Sequence, residues 1–334
     1  MTAPGTVIVG AGMMGYWHAR YAASLGARVR GVVDLDAAAA RRLADRFAGA
    51  RAFESLPESL AAGGVDAVHV CTGATSHAQV ALAALRSGCH VLVEKPAALT
   101  ERDAVLLLEA ARQAGRALAP VHQFPLQPGA LRLTRRKSDL GALVRADFVA
   151  CSAGGEGRDG AARRALLREI LPHPLSLFRR LLGRAIDLGA WRLSRSSDDE
   201  LSLQGLCSGT ELGITISLRG RPTRNELTVI GTQATARLDL YHGYGLLERA
   251  GTGRADKLLA PFRRGIGQLA AASSNLVWRA ARRETAFPGL RELIGRFHGA
   301  IQGDLALTPP PEEILEAARL IEHVAGEAVV TPSA

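Results

Sequence analysis

The chain is 334 residues long, 47% apolar but only 4% aromatic, with 41 Lys and Arg against 32 Asp and Glu for a net charge of +9. That length accommodates two domains with cores of their own, and no uncharged apolar run is long enough for a membrane-spanning helix. Four scattered cysteines without CxxC spacing read as reduced core thiols, and the first residues enter a strand with no basic leader, so the expected compartment is cytoplasmic.

A strand over residues 6–10 runs into Gly10-Ala11-Gly12-Met13-Met14-Gly15 and then a helix over 14–25. In a dinucleotide fingerprint the glycines permit a tight turn, a close approach of backbone to pyrophosphate, and close helix–strand packing. The helix start at Met13 and Met14 then offers free N–H groups to the phosphates. A second strand over 28–34 ends in Asp34, 19 residues past Gly15. There a carboxylate accepts from a ribose 2′-hydroxyl and repels a 2′-phosphate, so NAD is expected, with Arg41 and Arg42 as the route by which NADP would be accommodated. The competing reading is a glycine turn followed by an unrelated surface aspartate.

Further strands at 51–53, 66–72, 89–93 and 117–121 alternate with helices at 37–48, 76–88 and 100–115, which predicts parallel strands joined by crossover helices. Thr75 or Ser76 is expected to cap the helix over 76–88, and Thr100 with Asp103 forms an acidic capping box. Gly26, Gly88 and Gly115 stand where helices should end. Thr72 and His77 lie on the loop after strand 66–72. The strand over 89–93 ends in Glu94-Lys95-Pro96, and Lys95 is one of only three lysines beside 38 arginines. A lysine can surrender its proton where an arginine cannot, and the carboxyl edge of an open α/β sheet is where ligands bind. Lys95 is therefore a candidate acid–base group, against the alternative of a surface turn. His122 and Gln123 close the last of these strands on the same side and are candidate substrate contacts.

Beyond Gln123 the pattern changes. A helix near 129–137 precedes a strand over 144–151, a glycine-rich loop at 152–157, and a helix over 172–182. Alternating segments near 187–194, 200–207, 210–219, 226–230 and 235–240 have connections too short for helical crossovers, so they predict an antiparallel sheet. Helices at 289–302 and 312–325 flank Pro309-Pro310-Pro311. The expected class is α/β, an N-terminal Rossmann domain over 1–122 and a C-terminal α/β domain over 123–334 with a largely antiparallel open sheet. The second domain is assigned to substrate binding and oligomerisation, and its last helix is free to pack back on the first.

Pro172 suits the first helical position, which sets His173 in the first turn. There the helix dipole disfavours an imidazolium and leaves a ring able to accept a proton. Glu169, expected in the turn before that helix, is positioned to orient the ring. The alternative is a histidine wedged between two prolines. The other histidines lack metal-ligand spacing, and no metal is expected.

Together these residues resemble the Gfo/Idh/MocA oxidoreductases, which share the glycine fingerprint, an EKP tripeptide and a two-domain plan. The resemblance rests on Gly10, Gly12 and Gly15 with His18-Ala19-Arg20, on residues 72–77, on residues 81–96, and on the region of Gly231. It implies cofactor contacts from Gly10, Gly12, Met13, Met14, Gly15, Asp34, Thr72, His77, Glu94 and Lys95. It also implies oxidoreduction between hydroxyl and carbonyl on a sugar, cyclitol or nucleotide-linked sugar, with Lys95 and His173 sharing proton transfer. Glu169 stands where that family usually has Asp, Ser176 where a second Asp is common, and His122-Gln123 where Asn or Arg is frequent. A homo-oligomer is a further implication. Reduction of an imine or conjugated alkene, and a dinucleotide sensor without chemistry, are the alternatives.

Residues 249–283 carry eight basic side chains against Asp256 alone, interleaved with apolar ones as in one or two amphipathic helices. Three readings compete: a solvated basic face, a nucleic-acid or membrane-surface patch, and an arm that grips an anionic substrate through Arg263 and Arg264. No nucleic-acid module is recognisable, so no nucleic-acid partner is expected.

Overall fold

The computed structural model describes residues 3–187, 191–249, 251, 253–303 and 305–326. Two compact units emerge, one holding the chain to His122 together with Leu290–Glu322, the other Gln123–Gly289 with the residues from His323.

The first unit is a six-stranded sheet. Its elements are β1 (Gly5–Val9), α1 (Met13–Ser24), β2 (Arg28–Val33), α2 (Ala37–Ala44), β3 (Arg51–Phe53), α3 (Leu56–Ala61), β4 (Ala67–Val70), α4 (Ala74–Arg86), β5 (His90–Val93), α5 (Glu101–Ala114) and β6 (Leu118–Pro120). The strands lie in the order β3-β2-β1-β4-β5-β6 with every pairing parallel. This order reverses direction between β1 and β4, and the crevice beyond their carboxyl ends is the ligand position of doubly wound sheets. Val7, Val68, Val70, Val91 and Val93 are fully buried beneath Ala81, Ala84, Leu85 and Ala104, as strands covered on both faces must be.

Local chemistry sets the helix limits. Asp36 caps α2 by accepting from the N–H groups of Ala38 and Ala39, Thr100 accepts from Asp103, and Gly115 ends α5 in the left-handed region at φ +60°. Two expectations change. The helix read as 76–88 starts two residues earlier, at Ala74, with Gly73 at the cap position and no side-chain cap, because the Ser76 hydroxyl bonds back to Thr72 and to the Gly73 carbonyl. Helix α3 was not expected, yet Ser55 caps it from the sequence by accepting from Glu58.

In the second unit follow α6 (Pro128–Arg135), β7 (Leu143–Cys151), α7 (Gly160–Ile170), α8 (Pro172–Leu182), β8 (Arg192–Ser197), β9 (Glu200–Cys207), β10 (Thr210–Ser217), β11 (Arg224–Gly231), β12 (Ala234–Asp239), β13 (Tyr244–Arg249) and α9 (Arg254–Ala281). The sheet order is β13-β12-β11-β7-β10-β9-β8. Among the described residues only the β7–β10 pairing of this sheet is parallel. Phe148, Leu203, Ile214, Ile216, Leu227 and Val229 are buried on one face, whereas the other carries the linked charges of Arg145, Asp147 and Glu211. Helix α7 and strand β13 were not foreseen. Asp159 caps α7, and Arg163 and Arg164 tie it to Asp199 and Asp198. Of the expected strand at 187–194, residues 188–190 lie outside the described residues and β8 begins at Arg192.

Helices α10 (Leu290–Ile301) and α11 (Glu312–Gly326) come last. Residues of both pack on the first unit, where Ile314 and Ala318 join its valine core.

Candidate active site

The three fingerprint glycines do three different jobs. Gly10 has φ +105°, and a Cβ there would stand 2.5 Å from the Cys71 carbonyl oxygen of the neighbouring strand end. A Cβ on Gly15 would overlap the Gly10 carbonyl, so that contact brings α1 against β1. At Gly12 a Cβ would meet nothing within 4 Å. Gly12 is also the N-cap residue of α1, with no side chain capping the helix. The N–H groups of the first turn therefore face open space, as a pyrophosphate site requires. Asp34, half-buried beyond β2, locks this turn by accepting from Ala11 N at 2.6 Å and from Asp36 N at 2.9 Å.

Lys95 lies three strands along the edge, half-buried after β5. Its backbone N–H donates to Oε2 of the preceding Glu94 at 3.1 Å, while Oε1 of that carboxylate lies 3.1 Å from His18 Nε2. The buried carboxylate is thus the inner anchor of the tripeptide. From it a line of imidazoles runs through the unit: His18 Nδ1 to His69 Nδ1 at 3.2 Å, then His69 Nε2 to His298 Nε2 at 3.2 Å. Burial first, then the neighbouring imidazoles, hold His69 well below its ordinary value and lower His298 to about 4. Burial alone would raise Glu94, but the hydrogen bond and charge of His18, with Lys95, outweigh it and keep the group below its ordinary value. Among the described residues His298 Nδ1 has no hydrogen-bond partner. The His18–His69–His298 line escaped the sequence reading, because separations of 51 and 229 residues leave no local signal.

His77 joins two loops of this edge. Its Nδ1 lies 2.8 Å from the Pro96 carbonyl and its Nε2 2.9 Å from the Thr72 carbonyl. Both ring nitrogens face backbone carbonyls, and the one that carries the proton donates to its carbonyl, so His77 sits as a bracket between the Thr72 loop and the EKP turn. Thr72 Oγ1 accepts from Ser76 at 2.8 Å. His122 is buried with Nδ1 2.6 Å from Oε2 of Glu313 on α11.

The remaining candidates belong to the second unit. His173 lies in the first turn of α8, buried, with its ring stacked on Phe124 at 4.1 Å and 12°. The helix start it was expected to occupy is not a free one. Leu171, the single residue between α7 and α8, has helical angles, and Glu169 belongs to the last turn of α7 instead of a turn. With α7 running almost directly into α8, His173 does not sit at an isolated helix N-terminus. The Ser176 hydroxyl donates to the His173 carbonyl at 2.9 Å. Gln123 is buried, and its Oε1 has no hydrogen-bond partner among the described residues. Arg264 makes a two-pronged contact with Glu248 at 2.8 and 2.9 Å, and Arg263 meets Asp256 at 2.6 Å. An anionic substrate would have to displace those carboxylates. All four cysteines are buried thiols. Among the described residues no cluster has metal-holding geometry, and no helix is long and apolar enough to cross a membrane.

Residues 5–122 match the family model of the oxidoreductase family with the NAD-binding Rossmann fold, Gfo/Idh/MocA. Inositol 2-dehydrogenase 2 of Saccharopolyspora erythraea is 33% identical over 183 residues, 54% of each chain. UDP-N-acetylglucosamine 3-dehydrogenase of Acidithiobacillus ferrooxidans is 34% identical over 137 residues, 41% of this chain and 42% of that one. The match thus spans about half the length of these curated relatives or less. The solved structure of the latter enzyme superposes over 97% of both chains with a TM-score of 0.75 at 21% identity. The WlbA dehydrogenase of Bordetella pertussis, in complex with NADH and UDP-GlcNAcA, superposes over 97% of this chain and 95% of its own with a TM-score of 0.75 at 18% identity. At such identities the likeness shows a shared fold.

Proposed function

We propose, from the match of residues 5–122 to the Gfo/Idh/MocA family model, that the chain is a nicotinamide-dependent oxidoreductase. Its substrate is a sugar, cyclitol or nucleotide-linked sugar, the classes named by its inositol and UDP-sugar relatives. The observation that carries the reading is the meeting of two motifs on adjacent parts of one sheet edge. The glycine turn after β1 leaves open space over a helix start, and the EKP turn follows β5 on the far side of β4.

The residues fit a dinucleotide. Gly12 gives the pyrophosphate room beside the N–H groups of α1, Asp34 offers a carboxylate for ribose hydroxyls, and Thr72 with its His77 bracket borders the same edge. NAD is the better match because Asp34 repels a 2′-phosphate. A bound nicotinamide supplies the hydride exchange. The chain's own task is the proton. Lys95 takes the hydroxyl proton as the carbonyl forms, or returns it in reduction. Glu94 fixes the register of Lys95 by holding its backbone N–H, and His18 in turn fixes Glu94. His173 is the second proton-transfer candidate, its ring plane set by Phe124, with Glu169 as its acidic neighbour in sequence. Gln123, with a spare buried acceptor, is the substrate-contact candidate of the second unit.

The test is absorbance near ~340 nm when the purified protein and NAD⁺ meet a panel that includes inositol and UDP-N-acetylglucosamine. Substrate-dependent NADH formation supports the proposal. Silence across the polyol and sugar-nucleotide panel, and across the matching keto compounds with NADH, would sink it.

A further inference from the structure

Helix α9 puts its apolar side in water. Leu258, Leu259, Phe262, Ile266, Leu269, Leu276 and Val277 are between 46% and 74% exposed. At 3.6 residues per turn these side chains fall within an arc of about 100°, a continuous stripe roughly 30 Å long. The helix rests on its own unit by the opposite side. There Gly267 and Ala271 are half-buried, and Asn275 is buried with its Nδ2 donating to the His242 carbonyl at 3.0 Å. Arg279 bonds the same carbonyl, and Arg264 holds Glu248 of β13. Small residues and polar anchors line most of the inward side. Among the described residues Trp278 is the one large apolar side chain there, 40% exposed beneath Arg282. The other large apolar residues face outward. That is the reverse of a helix whose stripe serves the core.

We propose that α9 is a peripheral membrane anchor whose stripe enters the headgroup–acyl boundary of an anionic lipid surface. Three observations favour lipid over a second copy of the chain. The stretch 249–283 holds eight basic residues and one acid. Three of the eight meet carboxylates, Arg249 at Asp139, Arg263 at Asp256 and Arg264 at Glu248. The surplus that remains is still positive, so a lipid surface of opposite sign complements it, whereas self-pairing would bring two positively charged helices together. At roughly 100 Å² for each large side chain, the stripe offers about 700 Å² of apolar surface. The ~800 Å² per partner of a standard interface would need polar complementarity as well, and the flank positions Gly265, Ala270, Ala272 and Ala281 provide none, while Arg263 on the same flank is held by Asp256. Finally, Leu, Ile and Phe on one side with Lys and Arg elsewhere is the composition of helices that lie in the interface plane. This inference is independent of the proposed chemistry.

The test is flotation of the full-length protein with phosphatidylglycerol–phosphatidylcholine vesicles, with phosphatidylcholine vesicles as comparison and light scattering on the lipid-free protein. Wild type is expected to float with the anionic vesicles, at least tenfold less with the neutral ones, and less as salt rises. Ile266→Glu with Leu269→Glu should lower flotation at least tenfold while leaving the melting temperature in place. Ile266→Ser with Leu269→Ser gives the same comparison if the acidic pair fails to fold. Wild type that does not float, or variants that float as well as wild type, would overturn the proposal. So would a lipid-free dimer that the same substitutions dissociate, because the stripe would then belong to a second copy.

Discussion

Gly12→Val separates cofactor binding from folding. Gly12 has φ −74° and ψ −166°, an extended conformation open to any residue, and a Cβ there meets no protein atom within 4 Å. The valine side chain therefore meets no steric barrier, and its cost to the fold is that of a poorer N-cap residue, about 0.5–1 kcal/mol. It fills the space over the first turn of α1, where phosphate oxygens would accept from backbone N–H groups. Two such charged hydrogen bonds at about 1.5–3 kcal/mol each amount to a loss of at least ~100-fold in NADH affinity. Gly15→Ala is the counterpart. Its Cβ overlaps the Gly10 carbonyl, so the helix must move off the strand at about 1–3 kcal/mol, lowering Tm by several degrees. Calorimetric titration with NADH and thermal melting read both quantities. The reasoning fails if Gly12→Val melts as low as Gly15→Ala, or if it binds NADH like wild type.

Asp34 predicts the coenzyme: NADH should raise Tm more than NADPH at equal concentration, and Asp34→Ser should narrow the gap. His298 predicts a pH dependence. Its folded value of about 4 lies below the ordinary 6.5, so the unfolded chain binds the extra proton between those limits and stability is lost as pH falls from 6.5 toward 4. The effect is about 3 kcal/mol at full extent, and buried His69 acts in the same direction. His298→Gln should flatten melting temperature against pH across that window; an unchanged slope would show that the ring is not the source. Glu94 works in a lower window, since with its value lowered in the fold the unfolded chain protonates first and stability is lost as pH falls from the ordinary carboxylate value through the lowered one.

What the sequence disclosed was local. The glycine turn, the Thr100–Asp103 cap and the Gly115 stop each act within a few residues, so spacing alone located them. The Ser55–Glu58 capping box and Asp159 were equally legible, yet α3 and α7 were missed because one is six residues long and the other follows a glycine-rich loop that dominates its neighbourhood. Strand β13 has only partial alternation and exists through its pairing with β12. The imidazole line was out of reach, being assembled by β4, α1 and α10 from three distant parts of the chain. In the segment 249–283 amphipathicity was readable from the sequence, but not which side faces the body. The small residues Gly267 and Ala271 gave that answer only once β13 and α6 were present to receive them.

The central claim is proton transfer at Lys95 in a nicotinamide-dependent reaction. Its most direct measurement compares wild type and Lys95→Met for NADH formation near ~340 nm on a responsive polyol or sugar nucleotide, with NADH affinity titrated in parallel. The account predicts a kcat at least ~100-fold lower in the variant, with NADH affinity unchanged. Near-normal turnover in Lys95→Met, or loss of NADH binding together with activity, would contradict it.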